Sequence, residues 1–289
     1  MPSTITESNV LASRDALPAF PRVVLQILET IDDPDASLPL LTRQVETDAV
    51  LAARVLSLAN RASHGGRQAV SDVFTALSLV GMARVREMAI TMHLADFMDA
   101  VFPLQKLESF WSHSLACAVC GVEVAHFTPV EVSIEASLIA CLMHDVGQLW
   151  LYRFEPQGMQ SARAQAEADG VEIDTMERRL FGIDHGTIGS WLAASWGLSP
   201  SICKAIAHHH TPDAGLPEPL VAVAHLAEIL SNALNLTHDR HNRVRSISTA
   251  SCKRLQIDWG PQSQSLFGRI EARSRHVFNP FAPELNAPH

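Results

Sequence analysis

A chain of 289 residues, 47% of them hydrophobic, can bury a sizeable core as one large domain or two subdomains. Its formal charge of −9 excludes a general grip on nucleic acid, which needs a basic face, and leaves room only for a small local basic patch. No run of about 18 apolar residues occurs, and the polar start Met1–Val10 lacks the basic and apolar regions of a secretory signal, so the sequence reads as a soluble cytoplasmic protein without a membrane span.

In chain order, residues 1–16 show no periodicity and read as a flexible lead. Leu17-Pro18-Ala19-Phe20-Pro21 marks the start of order, with Pro21 suited to a first helical turn. Val23, Val24, Ile27, Leu28 and Ile31 follow at helical spacing, and Asp32-Asp33-Pro34-Asp35 ends that helix. Ser37 can cap an amphipathic helix from Leu38 to Val45, and Asp48 can cap another that carries Leu51, Val55 and Leu58. His64-Gly65-Gly66 reads as a turn, Ser71 to Val80 as a helix broken by Gly81, and Val85 to Met98 as a further apolar helix. Pro103 marks a subdomain boundary.

The second half is helical again. Leu104 to Phe127 forms a long helix, and Val132 to Asp145 forms another, ended by Gly147. Pro156 to Asp169 is polar and amphipathic, and Asp174 to Phe181 is short. Asp184 caps a helix through Trp196, Ser199-Pro200 starts one that runs into His208-His209-His210, and Pro217 to Leu236 is strongly apolar. Beyond His238 the chain turns polar, with a weak helix over Gln262 to Arg273. The periodicity predicts an all-α protein: a lead over 1–16, an N-terminal helical subdomain over 17–103, a second helical domain over 104–237, and a C-terminal tail over 238–289.

The five cysteines are odd in number and sit mostly in apolar helical patterns, which suits reduced, buried thiols. Cys117 and Cys120 form a lone CxxC at helical spacing, for which zinc or redox chemistry is the lesser reading. The 14 histidines are the unusual count, since neutral imidazole is a common metal ligand.

Polar residues on apolar helix faces locate the candidate chemistry. Asp145 shares a face with Ile134, Leu138, Cys141 and Leu142; His185 with Ile188 and Leu192; His209 with Ile202 and Ile206; Glu228 with Val221 and Ala224; and His113 with Ala116, Cys117 and Cys120. A buried, unpaired carboxylate is costly, so Asp145 and Glu228 need partners, and the chain offers imidazoles rather than cations nearby. Carboxylates and imidazoles converging in a helical bundle are one way to hold a divalent transition metal. Each residue also has a plainer reading: a hydrogen-bonded core histidine, Asp145 as a helix cap, Glu228 on an exposed flank, and His208–His210 as a solvated helix end suited to the helix dipole.

Several motifs then resemble a known family. His144-Asp145 within Ala140-Cys-Leu-Met-His-Asp-Val-Gly147 resembles the HD dyad of metal-dependent phosphohydrolases. Leu17-Pro-Ala-Phe-Pro21, Arg54-Val-Leu-Ser-Leu-Ala-Asn60, Ala76-Leu-Ser-Leu-Val-Gly81, Phe110-Trp-Ser-His-Ser114, Phe181-Gly-Ile-Asp-His185 and His208-His-His-Thr-Pro212 resemble, in order, the HDOD family, a divergent branch of that superfamily. The resemblance implies an N-terminal helical subdomain packed on a C-terminal HD-like bundle. It implies a first metal site from His113, His144, Asp145 and Glu228, and a second from Asp145, His185 and His208 or His209, with Asp145 bridging. Phe110 and Trp111 would line the approach.

The implied metal is iron, manganese, zinc or nickel, and the implied role is a signalling or regulatory module that binds a protein partner or a small nucleotide-like ligand. The alternative is a phosphohydrolase of a nucleotide or cyclic dinucleotide, with Asp145 as its catalytic residue; a third reading is a helical adaptor with an empty pocket. Two departures weigh against hydrolysis. Glu228 stands where the hydrolases carry Asp, and Gln148 stands where several of them carry a phosphate-stabilising Lys, leaving Arg153 as the nearest cation.

Overall fold

The computed structural model describes residues 4–13, 38–62, 70–101, 107–214, 218–237 and 245–278. The expected helix over Pro21 to Ile31, the turn at His64-Gly65-Gly66 and the boundary at Pro103 lie outside them. Among the described residues there are fifteen α-helices and no strand, so the fold is all-α. The chain divides into two compact units, Ala19–Val101 and Met1–Pro18 with Phe102–His289.

The unit Ala19–Val101 contains α2 (Leu38–Glu46), α3 (Ala49–Ala62), α4 (Val73–Val80) and α5 (Met82–Val101). Asp48 caps α3 by accepting the Val50 and Leu51 N–H groups at 2.9 Å, and Asp72 caps α4 by accepting Thr75 N–H at 2.7 Å. Gly81, at φ 89°, lets the chain turn between α4 and α5. Leu41, Val45, Leu51, Val55, Leu77, Ile90 and Leu94 fill the core.

The other unit begins within the stretch read as a flexible lead. Residues Glu7–Ala12 form α1, opened by a capping box in which Thr6 and Asn9 satisfy each other's backbone donors. Ile5 N–H donates to the Phe181 carbonyl at 3.1 Å and Trp150 Nε1 donates to Ser13 Oγ at 2.8 Å, which ties the segment down.

Next come α6 (Leu107–Phe127), α7 (Ile134–Met143), α8 (Val146–Phe154), α9 (Pro156–Asp169), α10 (Ile173–Phe181), α11 (His185–Ser195), α12 (Pro200–His208) and α13 (Pro219–Ala233). Ser133, Asp184 and Ser199 cap α7, α11 and α12, and Gly170 ends α9 in the left-handed region. Central α6 packs against α7 and α13, while α11 packs against α8 and α12.

Helix α8 departs from the sequence reading, in which Gly147 ended the preceding helix. Gly147 lies instead in the first turn of α8, pressed against α11. The polar C-terminal stretch also carries two helices, α14 (Thr249–Arg254) and α15 (Ser263–Phe278). Leu266 and Ile270 are fully buried, and Arg269 and Arg273 donate to the two carboxylate oxygens of Glu123 on α6 at 2.8 and 3.1 Å.

Candidate metal centre

The site forms where α7 hands over to α8. His144 closes α7, and Asp145 follows with φ −98° and ψ 8°, outside the helical region. Asp145 stands at the cap position of α8 but makes no side-chain capping bond, so its carboxylate is not spent on the helix end. It is only 7% exposed. Because α8 and α11 touch at Gly147, the first residue of α11, His185, arrives beside that carboxylate. α6 brings His113, the end of α12 brings His209 and His210, and α13 brings Glu228.

One carboxylate lies between two sets of imidazoles. Asp145 Oδ1 is 3.1 Å from His185 Nε2 and 3.8 Å from His209 Nε2. Its other oxygen, Oδ2, is 3.4 Å from His144 Nε2 and 3.9 Å from His113 Nε2. His210 Nε2 is 2.9 Å from His185 Nε2, and its Nδ1 is 3.1 Å from Glu228 Oε2. Asp145, His185, His209 and His210 each offer one ligand atom within 4.8 Å of the others, and His113, Cys117 and His144 form a second such group.

The outer ring nitrogens decide what the inner ones present. His144 Nδ1 donates to the Cys141 carbonyl at 2.7 Å and His209 Nδ1 donates to the Ile206 carbonyl at 2.7 Å. His185 Nδ1 donates to Glu177 Oε2 at 2.6 Å. Carbonyls and carboxylates only accept, so each of these Nδ1 atoms carries the proton. In the neutral rings of His144 and His209, Nε2 then holds a lone pair aimed at an acceptor-only carboxylate. Asp145 Oδ1 is correspondingly buried without an aligned hydrogen bond, even at 3.1 Å from His185 Nε2. Acceptors facing acceptors around a buried acid fit a cation, and the carboxylate–histidine pairing Glu177–His185 is the arrangement that orients ligating imidazoles.

Charge points the same way. Burial raises the Asp145 and Glu228 carboxyls, but the surrounding imidazoles outweigh it and hold both well below the usual range, so both are anionic. Burial, aided by His210, pushes His209 well down, and burial with His144 pushes His113 down. His185 goes the other way: burial opposes its charge, but Glu177 and Asp145 outweigh burial and hold it protonated. Without a cation, the proton on His185 neutralises part of the acid.

Of the residues singled out from sequence, His113, His144, Asp145, His185 and His209 converge, and Glu228 joins them through His210. Glu228 is 7% exposed, so it is not a flank residue. His208 is absent from both groups among the described residues: it is the last residue of α12 and half-buried, while the chain leaves the helix to bring in His210. Phe110 is half-buried, and the side chain of Trp111 lies outside the described residues. Arg153 is exposed and sits over the Phe154 ring, whereas Arg163 donates to Gln148 Oε1 at 3.2 Å.

Sequence reasoning missed Glu177 and His225 as well. Glu177, fully buried on α10, binds both the backbone N–H and the ring of His185. His225 donates to the His209 carbonyl at 2.8 Å while its Nε2 accepts Ser248 N–H at 3.1 Å. Glu177 stands in Ile-Asp-Thr-Met-Glu-Arg-Arg-Leu-Phe, where only its helical register with Ile173 and Phe181 hinted at burial.

The profile of the HDOD domain matches residues 17–212 of the chain. The chain belongs to the HDOD family. Solved relatives share the fold. An HDOD domain protein of unknown function from Geobacter sulfurreducens has a TM-score of 0.70 at 24% identity, covering 94% of this chain and 99% of that one. A Shewanella amazonensis SB2B protein with a provisional phosphohydrolase name has a TM-score of 0.67 at 24% identity, covering 92% and 97%. A Marinobacter aquaeolei VT8 protein with a provisional signal-transduction name has a TM-score of 0.71 at 22% identity, covering 95% and 60%. A curated, uncharacterized protein of Treponema pallidum (strain Nichols) is 23% identical over 197 residues, 68% of this chain. That match takes in 38% of the Treponema protein, so the HDOD chain spans well under half of its length.

Proposed function

We propose that this HDOD protein is a regulatory, signal-transducing module that holds a divalent transition metal in its HD-like cluster and acts on a protein partner or a small nucleotide-like ligand. The observation that carries the reading is the Asp145 carboxylate, between His185 and His209 on one oxygen and His144 and His113 on the other. His113, His144, Asp145, His185, His209, His210 and Glu228 are the proposed ligands, with iron, manganese, zinc and nickel as the candidate metals.

A sensory or structural metal suits the enclosure of the cluster. The side chains of His185, His209 and His144 are 0%, 1% and 2% exposed, against 23% for His113. Among the described ligand side chains, His113 is the most exposed. The proposed working place is the cytoplasm: no described helix is long and apolar enough to cross a membrane, and all five cysteines are unpaired.

The position of Asp145 between the two sets of imidazoles also favours a second reading, a metal-dependent phosphohydrolase; the Shewanella relative carries a provisional phosphohydrolase name. A bound metal would supply Lewis acidity there. This chain's own groups give that chemistry little support, because Gln148 supplies a dipole rather than a charge and is engaged by Arg163.

Elemental analysis of the purified protein, followed by phosphodiesterase and phosphatase assays with manganese or iron, separates the readings. Metal near one or two equivalents, lost in Asp145→Ala, without turnover above that variant, is the expected result. Metal with turnover that Asp145→Ala abolishes establishes the enzyme instead, and a protein that takes up no metal leaves only the adaptor.

A further inference from the structure

One turn before Cys117 on α6, His113 directs Nε2 to within 3.5 Å of the Cys117 sulfur and 3.3 Å of His144 Nε2. All three ligand atoms lie within 4.8 Å of one another, and Asp145 Oδ2 is 3.4 Å from His144 Nε2. A tetrahedral zinc site with bonds of about 2.0–2.1 Å to nitrogen and 2.3 Å to sulfur sets neighbouring nitrogens about 3.3 Å apart and nitrogen and sulfur about 3.5 Å apart. The His113–His144 and His113–Cys117 separations are those of tetrahedron edges, while His113 Nε2 and Asp145 Oδ2, 3.9 Å apart, would have to close by about half an ångström on binding. We propose that Cys117 is a metal ligand, completing with His113, His144 and Asp145 a sulfur-containing position that selects a thiolate-preferring metal such as zinc over manganese or magnesium.

The proposal rests on the metal-holding reading above and adds to it a ligand and a metal class. The Cys117 side chain is buried against α13, with its sulfur 3.2 Å from Ser231 Oγ. Ser231 Oγ–H already donates to the Glu228 carbonyl at 2.9 Å, so in the metal-free protein the thiol donates to Ser231 and its sulfur lone pairs are left facing His113. A bound metal would displace the thiol proton to bulk water, and the serine hydroxyl is placed to turn and donate to the resulting thiolate, the kind of outer hydrogen bond that supports a ligating sulfur. Asp145, only 7% exposed and with Oδ2 turned toward His144 at 3.4 Å, supplies the anionic member of the set.

The probe is cobalt(II) added to the full chain, with zinc and manganese compared by chelator competition. Wild type should show a near-ultraviolet sulfur-to-cobalt charge-transfer band that Cys117→Ser loses and Cys203→Ser keeps. Cys117→Ser should weaken zinc by at least about 100-fold while weakening manganese by less than about tenfold. X-ray absorption of the zinc-loaded wild type, which needs no variant, should show one sulfur at about 2.3 Å. Bound metal with only nitrogen and oxygen neighbours and no such band overturns the Cys117 assignment and leaves the metal-holding reading standing. A wild-type chain that binds none of cobalt, zinc, manganese, iron and nickel overturns both.

Discussion

Gly147 lies so close to His185 that a Cβ built on it would stand 2.0 Å from the His185 carbonyl oxygen and 2.8 Å from Gly189 N. Both obstacles are backbone, so no rotamer change relieves the clash. This approach sets α11 on α8 and therefore sets His185 on Asp145. Gly147→Ala is expected to destabilise the fold by about 3 kcal/mol or more and to abolish stoichiometric metal uptake. Urea denaturation checks it; a loss below about 1 kcal/mol would show that α8 and α11 can part without consequence.

Glu177 should matter through His185 alone. It accepts from the His185 ring at 2.6 Å and from its backbone N–H at 2.8 Å, and it touches no other proposed ligand in these bonds. Glu177→Gln keeps the shape but can no longer hold Nδ1 protonated as firmly. Metal affinity should drop about 10- to 100-fold with helical content unchanged. Chelator competition beside circular dichroism reads both, and wild-type affinity in the variant would remove Glu177 from the site.

Much of the fold is legible because helix ends carry their own chemistry. Asp48, Asp184 and Ser199 cap helices where capping rules place them, and Gly81 and Gly170 end them. Gly147 misled because a glycine that permits close helix packing has the same letter as one that stops a helix, and only the partner helix tells them apart. His210 was passed over because helical periodicity lapses after His208, where the chain leaves α12. Cys117 read mainly as a reduced, buried thiol, with zinc the lesser reading, since its relation to His144 exists only once α6 and α7 pack together.

Acid should expose a second, structural carboxylate. Burial raises Asp174, but His210, Arg245 and Arg178 outweigh it and bring the group down from 3.8 to about 2. Arg178 and Arg245 donate to its two oxygens at 2.6 and 2.9 Å. A folded-state value below the unfolded one means the contribution is complete above 3.8 and lost as pH falls toward about 2. Asp174→Asn should therefore cost about 2 kcal/mol at neutral pH, with the gap to wild type closing across that window. A gap that stays constant with pH would mean the carboxylate charge contributes nothing.

Metal uptake should release a proton near neutral pH. His185 is held protonated by Glu177 and Asp145, after burial is overcome, so a cation must displace the proton on its Nε2. His209 and His113 are pushed down chiefly by burial and are already neutral there. Affinity should accordingly rise with pH, and calorimetric titration in buffers of different ionisation enthalpy should give different observed heats. Equal heats in all buffers would show that neither His185 nor the Cys117 thiol gives up a proton on binding.

The adjacent histidines at the end of α12 give the sharpest comparison. His210 places Nε2 2.9 Å from His185 Nε2 and Nδ1 3.1 Å from Glu228 Oε2, so it links the Asp145 group to the second carboxylate. His208, two residues earlier, keeps its carbonyl for Thr211 N–H at 3.0 Å and belongs to neither ligand group. His210→Ala should lower metal affinity by about 100-fold, and His208→Ala by less than about threefold, with both variants folded. Because the two substitutions remove the same chemistry from neighbouring positions, the difference isolates geometry from composition. If His208→Ala proved the damaging change, the second carboxylate would have to reach the metals by a route other than His210.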